Sequence, residues 1–323
     1  MPVLMGRSSQ SAARSKDASL GNEIRADVEP LSGMRQGHTE QGASGLKRGL
    51  FNRCAHPRCD TGWMKLWRNR SVPVFEGGWS CSPECTAGLL EAALVRELEA
   101  RGNQEEVHRH RIPLGLAMLE QGWITGVQLR TALEAQKAAG AGRLGQWLVR
   151  QNAVSEQLVT RALGLQWSCP VLGMELHTPE TLTPLLPRLF VDAFGALPLR
   201  LAAGKILYLG FESRLDPALA LALERMTGLR VESGLVQESL FQPAYRRMLR
   251  ATFPPIELIE AVTESALVQV LTKRIEKTKP VESRLVRMHD CLWLRMWVRP
   301  QNTPLPQIDV VRDLICSLRE LET

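Results

Sequence analysis

Four cysteines fall in two close pairs, Cys54-x4-Cys59 and Cys81-x3-Cys85. Thiolates are soft anionic ligands, and four of them in two pairs are what a tetrahedral Zn2+ site requires. His56 could take the place of one of the four, and buried free thiols are the alternative to a metal. Trp63, Trp67 and Trp79 lie between or beside the pairs. They supply a core too small to fold without a cross-link, which makes the expected zinc structural. The remaining thiols of the seven, Cys169, Cys291 and Cys316, are isolated and read as core residues. An odd count with clustered pairs points to metal binding in a reducing compartment rather than a disulfide framework, so the expected location is cytoplasmic.

The second pair leads directly into a stretch with helical apolar spacing, Thr86 to Ala100, as in treble-clef-like zinc modules. Lys65, Arg68, Asn69 and Arg70 interleave with Trp63 and Trp67. Such a run on a small module is more often a solvated face than a nucleic-acid-contacting one, so nucleic acid is not the expected partner.

A second constellation lies further on. Pro113-Leu114-Gly115 is followed by Met118-Leu119, Gly122-Trp123-Ile124, Leu129, Leu133 and Gln136. The pattern then recurs without insertion as Arg143-Leu144-Gly145, Leu148-Val149, Asn152-Ala153-Val154, Val159, Leu163 and Gln166. A tandem repeat of a helical unit implies two units packed on each other. Within each copy the spacing predicts a helix hairpin. Gly122 and Asn152 stand where the chain needs a left-handed residue after the first helix. Thr125 and Ser155 are N-caps of the second, and Gln128 completes a capping box with Thr125.

This double motif resembles the N-terminal domain of the secretion and pilus assembly ATPases (type II secretion, GspE/PilB-like), where it reads R-L-G-x-x-L-V-x-x-G-L-I-x4-L-x3-L-x2-Q in tandem. The resemblance continues through Gln166-Trp-Ser-Cys-Pro-Val-Leu, Leu197-Pro-Leu, Gly204-Lys-Ile-Leu-Tyr-Leu-Gly, Asp216-Pro and Leu223-Glu-Arg-Met-Thr-Gly-Leu-Arg-Val, covering about residues 113–249. In some members the motif binds cyclic di-GMP. The resemblance therefore implies a ligand set of Leu114, Gly115, Gly122 and Gln136 from the first copy and Arg143, Leu144, Gly145 and Gln166 from the second. Two departures bear on it. Pro113 replaces an arginine, which suits a helix start but removes a guanidinium that could grip phosphate; His110 and Arg111 lie close by. Asn152 replaces a glycine. The ATPases also carry a P-loop, whereas this chain has no G-x-x-x-x-G-K-[ST], so no nucleotide hydrolysis is expected. No nucleophile–base pair stands out either; His289-Asp290 fits a hairpin turn.

The net charge of +6 and pI near 9.1 favour anionic partners without selecting one. No apolar run is long enough to span a membrane, for which ~20 residues are needed. The expected fold is a multidomain α+β chain. A disordered tail (1–49) precedes the four-cysteine zinc module with its helix (50–104), the tandem-repeat helical subdomain (105–166), a compact α+β subdomain (167–252) and an α-β-β-α C-terminal unit (253–323). Within the α+β subdomain Val171–Leu176 reads as a short strand, Thr178-Pro179 opens a helix with Thr178 as N-cap, and Asp216-Pro217 opens another. The C-terminal unit is read as a helix over Ile256–Ile275, strands over Val281–Met288 and Leu292–Val298, and a closing helix over Ile308–Leu321. The expected function is that of a non-enzymatic regulatory or adaptor protein, responsive to cyclic di-GMP. The alternatives are a ligand-free interaction module with a protein partner in a secretion, pilus or signalling assembly, or a zinc-dependent nucleic-acid binder.

Overall fold

Caps and left-handed residues punctuate the chain where the sequence places them. The computed structural model describes residues 53–59, 72–99, 112–174 and 179–318. The tail, the tryptophan-rich basic run at 63–70, the linker 104–111 and the Thr178 helix start lie outside the described residues. The described parts belong to one compact unit. They build a mixed α+β structure with three small sheets.

The repeat forms helices α2 (Leu114–Glu120), α3 (Gly126–Ala139), α4 (Leu144–Arg150) and α5 (Glu156–Trp167). Gly122 and Asn152 adopt φ of 67° and 53° after α2 and α4. Thr125 Oγ1 accepts from Gln128 N–H while Thr125 N–H donates to Gln128 Oε1, the expected box. In the second copy Ser155 accepts from Leu158 N–H alone. Equivalent positions fill a shared core: Met118 with Leu148, Ile124 with Val154, and Ala132 with Ala162.

Beyond α5 the chain enters a three-stranded sheet. Val171 makes a single bridge to Leu235 where a strand over Val171–Leu176 is expected. A 3-10 helix, Pro179–Leu185, stands in place of the expected α-helix, with Pro184 inside it. Then come α6 (Arg188–Phe194), the hairpin β3 (Ala196–Ala202) and β4 (Ile206–Phe211), and α7 (Pro217–Thr227). Asp216 caps α7 by accepting from Leu219 N–H. Strand β5 (Arg230–Leu235) returns parallel to β4, and α8 (Glu238–Arg250) follows.

The C-terminal unit is not α-β-β-α. It is a strand β6 (Ile256–Ala261), a helix α9 (Glu264–Thr278), and strands β7 (Glu282–Met288), β8 (Cys291–Trp297) and β9 (Val311–Leu318), in sheet order β6-β9-β8-β7. Both expected helix ends are strands, and β6 pairs parallel with β9. Strand β9 is interior, and Leu314, Ile315 and Cys316 face both sides of the sheet within two different cores. A strand buried on both faces loses its period-two signal, and its apolar residues then pass for helical spacing.

One face of this sheet, through Val286, Met288, Trp293 and Ile315, closes the core of the preceding α+β segment. The other face is covered by α9 and by helix α1 (Pro83–Glu99), the helix that follows the second cysteine pair. Inside the sheet Arg295 donates from Nε and Nη2 to the carboxylate of Asp313, each at 2.7 Å. Trp293 Nε1 also donates to Asp313, and Arg295 Nη1 reaches Leu185 O at 2.9 Å. Every partner of this buried pair is satisfied, which offsets the cost of burying the charges and fixes the sheet against the 3-10 helix.

Candidate functional site

The two copies of the repeat hold each other reciprocally. Gln136 Nε2 donates to Gly142 O at 2.8 Å, and Gln166 Nε2 donates to Ile112 O at 2.7 Å. Each glutamine thus pins the carbonyl just before the first helix of the other copy. The glycines obey the same rule. A Cβ on Gly115 would meet Leu129 Cδ1 at 2.7 Å and Leu144 Cδ2 at 3.3 Å. A Cβ on Gly145 would meet Val159 Cγ1 at 2.6 Å and Leu114 Cδ2 at 3.7 Å. Gly115 and Gly145 are therefore buried where helices approach closely, with Leu114 and Leu144 lying across the opposite glycine. The structure brings Leu114, Gly115, Leu144 and Gly145 together at the junction of the two copies. Gly122 is exposed at the far end of α2, a seven-residue helix and so about 10 Å from its start.

Arg143 stands at the start of α4 with its side chain 59% exposed. Its Nη1 pairs with the carboxylate of Glu212, just beyond β4. Gln242 Nε2, from α8, donates to the other oxygen of the same carboxylate. The neighbouring Gln146 accepts from Arg143 N–H through Oε1 and donates through Nε2 to Glu238, the first residue of α8, at 2.8 Å. Glu156 accepts from Ser239 N–H at 2.6 Å. A polar seam therefore joins the second copy to the following α+β segment. No sequence signal marked Glu212, Glu238 or Gln242, because their partners are distant along the chain. Pro113 occupies the equivalent helix start in the first copy. His110 and Arg111 lie outside the described residues.

The four paired cysteines converge as their spacing requires. Their Sγ atoms lie within 4.8 Å of one another. Cys59 Sγ is 3.4 Å from Cys81 Sγ, which is 3.6 Å from Cys85 Sγ. Four thiolates about 2.3 Å from one tetrahedral ion would stand roughly 3.8 Å apart, so the donor set fits a metal of that kind. None of the four is in a disulfide. One knuckle and one helix start shape the cluster. Residues 54–59 are tied by Cys59 N–H to His56 O and by Ala55 N–H to Trp79 O. Cys85 lies in the first turn of α1. The short hairpin β1 (Val74–Phe75) and β2 (Gly78–Trp79) lies between the two pairs. The ring of His56 fills the notch left by Gly88 of α1, where a Cβ would lie 2.3 Å from Nε2. Burial pushes the Cys85 thiol up to about 12 and raises Cys54 as well. A cation is what would make the thiolates the stable form. Cys316 is buried, while Cys169 and Cys291 are partly buried.

Among the described residues no helix is long and apolar enough to cross a membrane. No family model matches the chain, and no protein of curated function matches it. Solved structures do. A structure of MshE with cyclic di-GMP matches 43% of this chain and 99% of its own length, at 27% identity and a TM-score of 0.34. The N-terminal domain of XpsE matches 42% of this chain and 92% of that domain, at 21% identity and a TM-score of 0.29. A second crystal form of that domain matches 41% of this chain and 90% of its own length, at 23% identity and a TM-score of 0.23.

Proposed function

We propose that this chain is a regulatory or adaptor protein without enzymatic activity, whose tandem repeat receives cyclic di-GMP. The ligand comes from the double motif and its resemblance to the secretion and pilus ATPase domains. The observation that carries the proposal is the reciprocity of the repeat. Gln136 and Gln166, Gly115 and Gly145, and Leu114 and Leu144 make paired contacts across one junction. A junction with internal two-fold character matches a ligand built from two identical nucleotides. Leu114 and Leu144 would form the apolar floor, and Arg143 would grip a phosphate, since a guanidinium takes phosphate oxygens bidentately. Gln136 and Gln166 would act indirectly, by holding the helix starts in place.

The four cysteines would hold Zn2+ as a structural ion, with Cys54 and Cys59 on one knuckle and Cys81 and Cys85 at the start of α1. The ion would supply a cross-link between the two ligand pairs. The basic balance of the chain suits an anionic ligand but gives no independent support for nucleic acid.

A second proposal has its own observation. The Arg143 guanidinium is already engaged by Glu212, and Pro113 offers no charge in the other copy. On that basis the repeat is a packing module that presents a surface to a protein partner. Calorimetric titration of the full chain with cyclic di-GMP separates the two. Saturable binding, weakened tenfold or more by Arg143→Ala, is the expected result, since a charge-assisted hydrogen bond contributes ~1.5–3 kcal/mol. No binding up to high micromolar ligand by wild type, Pro113→Arg or Glu212→Gln would leave only the packing module.

A further inference from the structure

We propose that Glu212 is an intramolecular competitor for the ligand site, a carboxylate that occupies the Arg143 guanidinium until an anionic ligand displaces it. The inference rests on the cyclic di-GMP proposal for its ligand, and it goes beyond that proposal by naming how the site is regulated.

Three observations carry it. First, Arg143 is the one arginine that the double motif retains, and its guanidinium is paired to Glu212 across the seam between the repeat and the α+β segment. A phosphodiester and a carboxylate ask for the same donors of a guanidinium, so one tends to exclude the other. Second, Glu212 is prepared to lose Arg143. Its side chain is 13% exposed, and Gln242 donates to its second oxygen, so release of the arginine leaves the carboxylate hydrogen-bonded. Arg143, at 59% exposed, can turn toward solvent without burial cost. Third, the surroundings are acidic. Glu238 and Glu156 flank the same seam through Gln146 and Ser239. A doubly anionic ligand arriving beside three carboxylates meets repulsion that a freed Arg143 guanidinium would help to offset.

The displacement also has an output. Helix α5 is anchored to the α+β core by Leu163 and Trp167. Helix α4 reaches the same segment through Arg143–Glu212 and Gln146–Glu238. Taking Arg143 away from Glu212 removes one of these two ties and loosens the start of α4 from the end of β4 and, through Gln242, from α8. The site therefore reports ligand as a change at the seam rather than within the repeat core.

The test uses the full-length chain, with cyclic di-GMP as the probe, titrated calorimetrically into wild type, Glu212→Gln and Glu212→Ala. Both variants should bind about tenfold or more tightly than wild type, since each removes a charge that competes for Arg143. In a parallel measurement without ligand, backbone hydrogen exchange should rise at the start of α4 and of α8 in both variants, while α2 and α5 stay unchanged. Equal or weaker binding by the variants overturns the competition while the ligand proposal stands. Absence of binding in all three proteins and in Pro113→Arg overturns the ligand proposal and the competition together. Unchanged exchange at α4 and α8 overturns the output even if affinity rises.

Discussion

Glu97 has no exposed surface, yet it holds three elements at once. From α1 it accepts from both terminal nitrogens of Arg225 on α7 and from the Arg287 N–H of β7, with Arg96 Nε as a further donor at 3.0 Å. Burial raises its carboxyl pKa, but the Arg225 hydrogen bonds, the Arg287 N–H and the guanidinium charges outweigh burial, and the net value lies below the ordinary 4.5. A carboxylate depressed in this way stabilises the fold fully above its unfolded pKa and loses that contribution as pH falls through the folded value. Glu97→Gln should therefore lower stability by about 1–3 kcal/mol at neutral pH, the range for a hydrogen bond to a charged group. The Arg225 side chain is 39% exposed and keeps part of its hydration, which holds the loss below that of a fully buried pair. Chemical denaturation from pH 7 down to pH 3 should show the difference between wild type and variant shrinking below about pH 4.5; a constant difference would remove the charge from the explanation. Nothing in the sequence marked Glu97, because Arg225 and Arg287 lie far along the chain. The convergence of the cysteines was legible, because a tetrahedral metal would require this local spacing: two thiols within one knuckle and two at a helix start. Cys54→Ser and Cys85→Ser should each abolish stoichiometric zinc in purified protein, measured by elemental analysis. Full zinc retained by both would dismiss the site.

At the scale of elements, legibility followed the reach of the interaction. Thr125 with Gln128, Ser155, Asp216, Gly122 and Asn152 act on backbone within four residues of themselves, so the repeat and α7 could be read from their caps. Strands β6 and β9 could not. Their identity depends on pairing with each other across the whole C-terminal unit, and the local pattern Ile256, Ile259 or Val311, Leu314, Leu318 suits a helix equally well. The reciprocal contacts of the repeat permit a sharper comparison. Alanine at a helical glycine gains about 1 kcal/mol of helix propensity, while overpacking costs about 1–3 kcal/mol. At Gly115 the nearest atom to a new Cβ is Leu129 Cδ1, the end of a flexible side chain. At Gly145 it is Val159 Cγ1, held by a β-branched side chain with little rotamer freedom. Gly115→Ala should thus be near neutral and Gly145→Ala destabilising by about 1 kcal/mol, read from urea midpoints at constant slope. The reverse order would mean that the rigidity of the side chain facing each glycine does not decide the cost.

Across the whole molecule, the four-cysteine module is packed onto the C-terminal sheet by backbone hydrogen bonds and a shared core. Strand β1 docks on the β7 edge of the sheet, with Val74 N–H on Pro280 O at 3.0 Å and Glu76 N–H on Ser283 O at 2.8 Å. Ser283 Oγ donates back to Val74 O. Helix α1 lays Leu90, Ala93 and Leu94 against Leu267, Leu271 and Ile275 of α9, and Phe75 joins the same core. Thr86 Oγ1 donates to Glu276 at 2.6 Å, and Arg96 binds Glu76 across the hairpin turn. Unpinning the cysteine cluster therefore exposes one face of the four-stranded sheet. If the four cysteines hold a metal, chelation, or acidification that lets protons compete for the thiolates, should release β1 and loosen α1, α9 and β7 together. The sign follows from the ligands: metal affinity drops as pH drops, because each thiolate must first lose a proton. The repeat has a core of its own, Met118, Leu148, Ile124 and Val154 among its members, and no residue of it comes from the module. Hydrogen exchange after chelation should accordingly rise across α1, α9 and β7 while α2 to α5 keep their protection. Exchange confined to residues 53–82 would show that α1 holds its place without the metal, and would reduce the cysteines to a local clasp on an independently stable sheet.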